Sequence, residues 1–354
     1  MRFDRTQGPG YARRSAAGLV MCLALGAGGL APLAARADCA SAPAPVLNLA
    51  FESRYAEGDA ARATLDEERE AAAKAALDPL DGFISDLAGE LEDALSAAYP
   101  AEARAGAGCL LAQMGDWARA DALAELGTRT VELTIGSRLA AFALMAGHAA
   151  PLAPGSPDLD DIRPWLARRM EAQMVFWETA PDRASQNNLR AWAALAGAAT
   201  AGLVDDPVMF GWAAWSVTYV LCSADADGSL PQEMRRGKYA LHYQLHALAP
   251  LTTAALVLKE GGLDLTARCD GALGRAVRFG LSDLQDGARS AEITGQVQSY
   301  FDGSDTLDTW QLAWLEAYLR LDPDPEIAAL AASMRPLGYS KLGGNQTLIY
   351  GGEG

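Results

Sequence analysis

The chain has 354 residues, half of them hydrophobic, with 29 Lys plus Arg, 45 Asp plus Glu and 3 His, a formal charge of −16. That much apolar material excludes a disordered chain and a small disulfide-stapled peptide. The acidic balance excludes a basic nucleic-acid-binding surface, because phosphate would repel it.

Arg13 and Arg14 precede a run of apolar and small residues, 16–35, that ends in Ala35-Arg36-Ala37. This is the pattern of a secretory signal with an A-x-A cleavage site. Residues 1–37 are expected to be removed before Asp38, leaving 38–354 as a mature periplasmic chain. Gly, Ala and Pro32 make the run a poor membrane anchor, and no span is expected after it. The leader holds Arg2, Arg5, Arg13, Arg14, Arg36 and Asp4; its net +4, taken from −16, leaves −20. Cys22 goes with it. Cys39, Cys109, Cys222 and Cys269 remain, an even number that argues for two disulfides in one of three connectivities.

Beyond the leader, Ala and Leu dominate and apolar positions recur at three and four residues. Helices are predicted over 69–98 (broken near Asp78-Pro79), 109–126, 130–146, 160–177, 186–201, 206–222, 238–259, 271–284, 306–321 and 325–334. Gly and Pro punctuate them, at Pro154-Gly155, Asp227-Gly228, Gly261-Gly262 and Asp322-Pro323. Only 347–350 reads as strand. No linker divides the chain, so one all-α domain of antiparallel helical hairpins is expected. Such hairpins can be laid around a ring, although no repeat in the sequence dictates one. There is no C-x-x-C, no H-x-x-x-H and no phosphate-binding glycine loop, so neither metal nor cofactor is expected. Asp225 and Asp227 lack the closing Glu of a calcium loop.

Several segments resemble the alginate lyase family, polysaccharide lyase family 5. Residues 51–65 (Phe-Glu-Ser-Arg-Tyr-Ala-Glu-Gly-Asp-Ala-Ala-Arg-Ala-Thr-Leu) look like its lid loop, with Arg54-Tyr55 as the basic-Tyr pair. The segment from Cys109 to Leu123, with Trp117-Ala-Arg-Ala-Asp-Ala-Leu, is similar to the next block. Asn187-Asn188-Leu189-Arg190-Ala191-Trp192 stands where the family has Asn-Asn-His-x-x-Trp. Asp225 to Arg236, followed by Ala240-Leu-His-Tyr243, resembles its Arg-and-Tyr segment. Trp310 to Tyr318 and Leu342-Gly-Gly344 resemble the C-terminal blocks. The matches run in order over almost the whole mature chain. One position departs: the family's histidine is Leu189 here.

The resemblance implies an incomplete (α/α) toroid and cleavage of a 1,4-linked uronan by β-elimination, with mannuronan the first candidate substrate and glucuronan the next. Elimination needs donors for the charge that spreads onto the uronate carboxylate, a base for the C5 proton and an acid for the departing O4. In mannuronate and glucuronate the C5 hydrogen and O4 lie on one side, so one tyrosine reaches both. In guluronate they lie on opposite sides, and Leu189 offers no second base, so guluronan is expected to be a poor substrate.

Tyr243 matches the tyrosine of that motif. Arg236, seven residues earlier, would share its helical face and favour phenolate. Asn188 is expected to donate to the carboxylate while Asn187 caps a helix. Arg54, Tyr55, Arg190, Trp192 and Arg235 are expected to bind substrate; Trp310 and Trp314 are further aromatic candidates. His246, one turn past Tyr243, is expected to compensate in part for Leu189 if it opens into the same cleft. His148 and His242 receive no role. For a chain at −20 to hold a polyanion, Arg54, Arg62, Arg190, Arg235, Arg236 and Lys238 would have to gather in the cleft. The resemblance also implies the disulfide Cys39–Cys109, which leaves Cys222 with Cys269, and the chain is expected to be a monomer. Two other readings stay open: a binding protein that does not cut, and a glycoside hydrolase, for which no pair of carboxylates stands out.

Overall fold

Asp66 begins the first long helix by accepting a hydrogen bond from Arg69 N at 3.0 Å, which satisfies a first-turn donor that has no intrahelical partner. The computed structural model describes residues 39–351; the expected leader lies outside the described residues. Helix α1 (Glu67–Ser96) runs through Pro79 without the break expected there. Both Pro79 and Ala75, four residues before it, face solvent, so water can take the carbonyl the ring leaves unpaired.

In chain order follow α2 (Pro100–Arg119), α3 (Arg129–Thr134), α4 (Gly136–Leu152), α5 (Leu159–Glu178), α6 (Asp182–Ser185), α7 (Asn188–Val204) and α8 (Pro207–Leu221). Then come α9 (Pro231–Met234), α10 (Ala240–Glu260), α11 (Arg268–Ser282), α12 (Ala288–Thr294), α13 (Leu315–Leu321), α14 (Pro325–Met334) and α15 (Gln346–Tyr350). The strand reading at 347–350 fails. Asn345 accepts from Leu348 N at 3.1 Å and caps a helical turn there. The strands are two-residue pieces. β1 (Asn48–Leu49) pairs in parallel with β2 (Glu125–Leu126), and β3 (Gly338–Tyr339) pairs antiparallel with β4 (Gly344–Asn345).

The helices form two concentric rows. α1, α4, α7, α10 and α13 each touch the next and make the inner row, while α2, α5, α8 and α11 touch in turn outside them. This is an incomplete (α/α) toroid, in one compact unit over 37–354. The gap between α13 and α1 is filled by the C-terminal segment: α15 packs on both, and β4 lies on α1.

The sequence of α7 explains why it sits at the centre. Ala191, Ala193, Ala194, Ala196, Ala198 and Ala201 are all buried, and such small side chains let flanking helices come close. Gly136 at the start of α4 is part of that fit, since a Cβ there would stand 2.7 Å from Ala193 N. Between α1, α2, α4 and α5 the core is aromatic. Phe83 stacks on Trp117 with ring centres 4.4 Å apart, and Phe142 meets Trp165 edge-on at 5.3 Å. Both indoles are satisfied, Trp117 Nε1 donating to Pro43 O and Trp165 Nε1 to Ala122 O. Both expected disulfides are present, with Cα atoms 5.2 Å apart for Cys39–Cys109 and 5.3 Å for Cys222–Cys269. The first ties the N-terminal segment to α2, and the second ties the end of α8 to the start of α11.

Candidate active site

The N-termini of α7 and α10 open on one side of the ring, with α9 and the loop 53–65 over them. The loop is held together by Asp59, which accepts from Ala61 N, Ala63 N and Thr64 N at 2.7–2.9 Å. Those donors hold its carboxyl below the usual range. Ala56 N to Thr64 O, and Asp66 N to Arg54 O, both 2.9 Å, close the loop's base.

The loop lies shut over Tyr243. Tyr55 and Tyr243 share a phenol–phenol hydrogen bond of 2.5 Å. Arg236 donates through one terminal nitrogen to Tyr55 OH (3.1 Å) and to Arg62 O (2.9 Å). Its guanidinium carbon sits 3.7 Å from the centre of the Tyr243 ring. Burial raises the Tyr243 phenol above its ordinary value, and Arg236 opposes this without overcoming it. Burial also raises Tyr55, but Arg54 and Arg236 together with the bond to Tyr243 outweigh it, and the net direction is down. Of the two phenols Tyr243 therefore holds its proton more firmly, and Tyr55 is the natural acceptor.

Two cavities meet at this pair. The larger, about 550 Å³, is lined by Tyr55, Asn187, Leu189, Gln232 and five arginines (Arg62, Arg69, Arg183, Arg235, Arg236) against three acids (Glu57, Asp59, Asp182). The acidic chain thus gathers a net positive lining here, as expected for Arg62, Arg235 and Arg236. The smaller, about 10 Å³, is lined by His242, His246, Ala249, Trp310, Gln311 and Tyr339.

Other expectations need correction. Asn188 is only 3 % exposed. Its side-chain amide donates to both carboxylate oxygens of Glu233 at 3.1 Å and its backbone N–H to Oε1 at 2.7 Å. Glu233 is buried and needs those donors, so Asn188 faces it rather than the large cleft. Asn187 caps α7, accepting from Leu189 N at 2.9 Å, as expected. Arg190 is also 3 % exposed and lies outside the cleft. Its guanidinium sits within 4.7–6.0 Å of the rings of Trp177, Trp212, Trp215 and Tyr219 and donates to Ser216 Oγ and Trp177 O. Burial lowers its pKa to about 10.

Trp192 and Trp314 are buried, so neither presents a face to a sugar; Trp310 borders the small cavity, its ring centre 4.8 Å from that of Tyr339. Trp192 Nε1 donates to His246 Nε2 at 3.1 Å. His246 therefore opens to the small cavity, not to the arginine-lined one, and its acceptor nitrogen is taken. Burial first, then His242 and nearby arginines, pushes it down to about 3. Lys238 sits on a rim, donating to Ser304 Oγ at 3.2 Å. Asp227 accepts from Ser229 N and Oγ in a turn.

The sequence reading missed three groups. Glu233, whose carboxyl burial raises to about 7, lies three residues before Arg236, a spacing that puts both in one turn. His242 bonds Asp305 at 2.8 Å, a partner 63 residues away that no local pattern reveals. Arg138 and Lys341 both bond Asp81, joining α4, the C-terminal segment and α1.

The family model described as alginate lyase matches residues 127–289. The chain is 31 % identical over 320 residues to an alginate lyase of Pseudomonas putida (strain W619), covering 88 % of this chain and 85 % of that one. The chain belongs to the alginate lyase family. An alginate lyase of Cobetia marina is 28 % identical over 88 % of this chain and 83 % of its own length. Among solved structures, the fold is similar to a histidine-to-alanine variant of alginate lyase A1-III complexed with tetrasaccharide, at TM-score 0.74 and 21 % identity, covering 88 % and 85 % of the two chains. Alginate lyase A1-III from Sphingomonas species A1 gives TM-score 0.71 at 21 % identity, covering 88 % and 86 %. As a family member the chain is a polysaccharide lyase by kind. Its Tyr243, Arg236 and Leu189 lie inside the matched segment.

Proposed function

We propose that this protein cleaves a 1,4-linked polyuronate, with mannuronan as its main substrate, by β-elimination at Tyr243. The observation that carries this reading is the Tyr243 phenol laid against the Arg236 guanidinium beside an arginine-lined cleft under a closed loop. A uronate entering that cleft displaces Tyr55 from Tyr243. Arg235 and Arg54 attract its carboxylate, and Arg236, freed from Tyr55, donates to it. Tyr243, protonated in its buried setting, is placed to deliver a proton to O4. Asn188 acts one step back, by holding Glu233 beside Arg236. Two disulfides support export to an oxidising compartment after cleavage before Asp38, and the chain acts as a monomer.

Incubation with mannuronan, guluronan and glucuronan, followed by ultraviolet absorbance, tests the reading. Elimination creates a C4=C5 double bond conjugated to the carboxylate, whereas binding and hydrolysis create none. Absorbance rising fastest with mannuronan is the expected result. Polymer retention without absorbance would identify a binding protein instead.

A further inference from the structure

A Tyr243 that keeps its proton leaves the C5 base unassigned, and Leu189 cannot accept a proton. Tyr55, stabilised as an acceptor by two arginines, is correspondingly weak as a base. The small cavity on the other side of Tyr243 holds a better group.

His242 Nδ1 lies 2.8 Å from Asp305 Oδ2. A carboxylate cannot donate, so Nδ1 carries the proton and Nε2 presents its lone pair. Tyr300 OH is farther from Nδ1, at 3.2 Å, and itself accepts from Gln311 Nε2 at 2.5 Å. Asp305 is fixed in turn by Thr306 N (2.9 Å) and Ser299 Oγ (3.4 Å). Among the described residues Nε2 of His242 has no protein partner, and the ring walls the small cavity. Its centre is 5.0 Å from that of Tyr243, edge-on. His246 differs on both counts: its Nε2 is taken by Trp192, and no carboxylate holds its other nitrogen among the described residues.

The groups facing His242 are Tyr239, Tyr243 and His246 from its own stretch of chain, Tyr300 and Asp305 from the loop opposite, and Arg54 and Arg236 from the cleft. Burial, aided by the two arginines and opposed by Asp305, holds its pKa below the ordinary histidine value. The ring is thus neutral, and competent as a base, near pH 7.

We propose that His242, held by Asp305, is the catalytic base of this chain and takes the place of the imidazole lost at position 189. The assignment rests on the uronan lyase reading above. His242 Nε2 takes the C5 proton, the C5–H electron pair becomes the C4=C5 double bond, the C4–O4 bond breaks, and Tyr243 gives its proton to O4. Asp305 stabilises the imidazolium. The imidazolium then returns its proton to the Tyr243 phenolate through a water, for which the small cavity has room. Base and acid are adjacent residues of one helix, so both approach the sugar from one side. That fits the syn arrangement of mannuronate and not the anti arrangement of guluronate.

The test uses the full disulfide-bonded protein on mannuronan. His242→Ala should lose ~10²-fold or more in kcat, and added imidazole should restore part of it, whereas imidazole should do nothing for Tyr243→Phe. Asp305→Asn removes a positioning residue. Because Asp305 raises the His242 pKa, the acidic limb of kcat/KM should move to lower pH, and kcat should fall. Should His242→Ala fail to fold, the Asp305→Asn limb decides: a shifted limb supports the dyad and an unmoved one overturns it. A folded His242→Ala within a few fold of an active wild type overturns the base assignment alone. A wild type that forms no absorbing product from any uronan overturns the lyase reading, and this one with it.

Discussion

The two cavities that meet at Tyr243 differ in kind. One is wide, lined by arginines and roofed by a loop; the other is narrow and lined by imidazoles and aromatic rings. Arginine is always charged and grips carboxylates in fixed geometry, so the wide side suits holding a polyanion. The narrow side keeps its titratable groups neutral through burial, which suits moving protons. The contrast shows how an acidic protein handles an acidic polymer: charge is spent on grip in one place and excluded from proton transfer in the next.

The boundary residue is the most sensitive place to break that division. Tyr243→Phe should lower kcat by ~10²-fold or more, with polymer retention nearly unchanged, since the ring remains and only the proton is lost. Initial rates and affinity electrophoresis on mannuronan separate the two. Activity within a few fold of wild type would remove Tyr243 from the chemistry.

A change on the wide side should act on grip. Arg236→Ala removes hydrogen bonds made by a charged donor, worth about 1.5–3 kcal/mol each when lost, so kcat/KM should fall by about ten- to a hundredfold, with KM rising. An unchanged KM would mean that Arg236 serves Tyr243 and not the substrate.

Arg190 sharpens the comparison from outside both cavities. Arg190→Met should leave KM unchanged while lowering Tm by a few degrees, because the guanidinium contributes about 2 kcal/mol through its aromatic neighbours. A KM increase with unaltered Tm would return Arg190 to the binding surface.

The mildest effect should come from Glu233. Its carboxyl is raised in the folded chain to about 7, so the folded state binds more protons than the unfolded one between about pH 4.5 and 7. Its contribution to stability is full below that window and is lost as pH rises through it. Glu233→Gln should flatten the fall in Tm over this range, measured by calorimetry at several pH values. A fall of the same slope in the variant would assign it to other groups.

The helices were legible because they repeat apolar residues every three to four positions, and the lid and the Arg-and-Tyr segment because their resemblance is local in sequence. Arg190 misled for the opposite reason. It stands among motif residues, yet α7 turns it into a pocket of rings supplied by α5 and α8. Asn188 was misplaced because the acid it serves, Glu233, is 45 residues away. His242 was passed over because its rotation on the helix was judged against Tyr243 alone. Asp305, 63 residues on, is what gives that ring a chemical identity.

The filled gap between α13 and α1 has a consequence for biosynthesis. The loop that roofs the site comes from residues 53–65, near the beginning of translation, whereas Tyr339 and Lys341, which wall the small cavity and bond Asp81 of α1, are among the last to leave the ribosome. Helical hairpins can form one by one as the chain emerges, but the two halves of the active site cannot meet until the tail has docked. A nascent chain is therefore inert toward polymer until synthesis is all but finished, and enzymatic activity serves as a direct readout of ring closure.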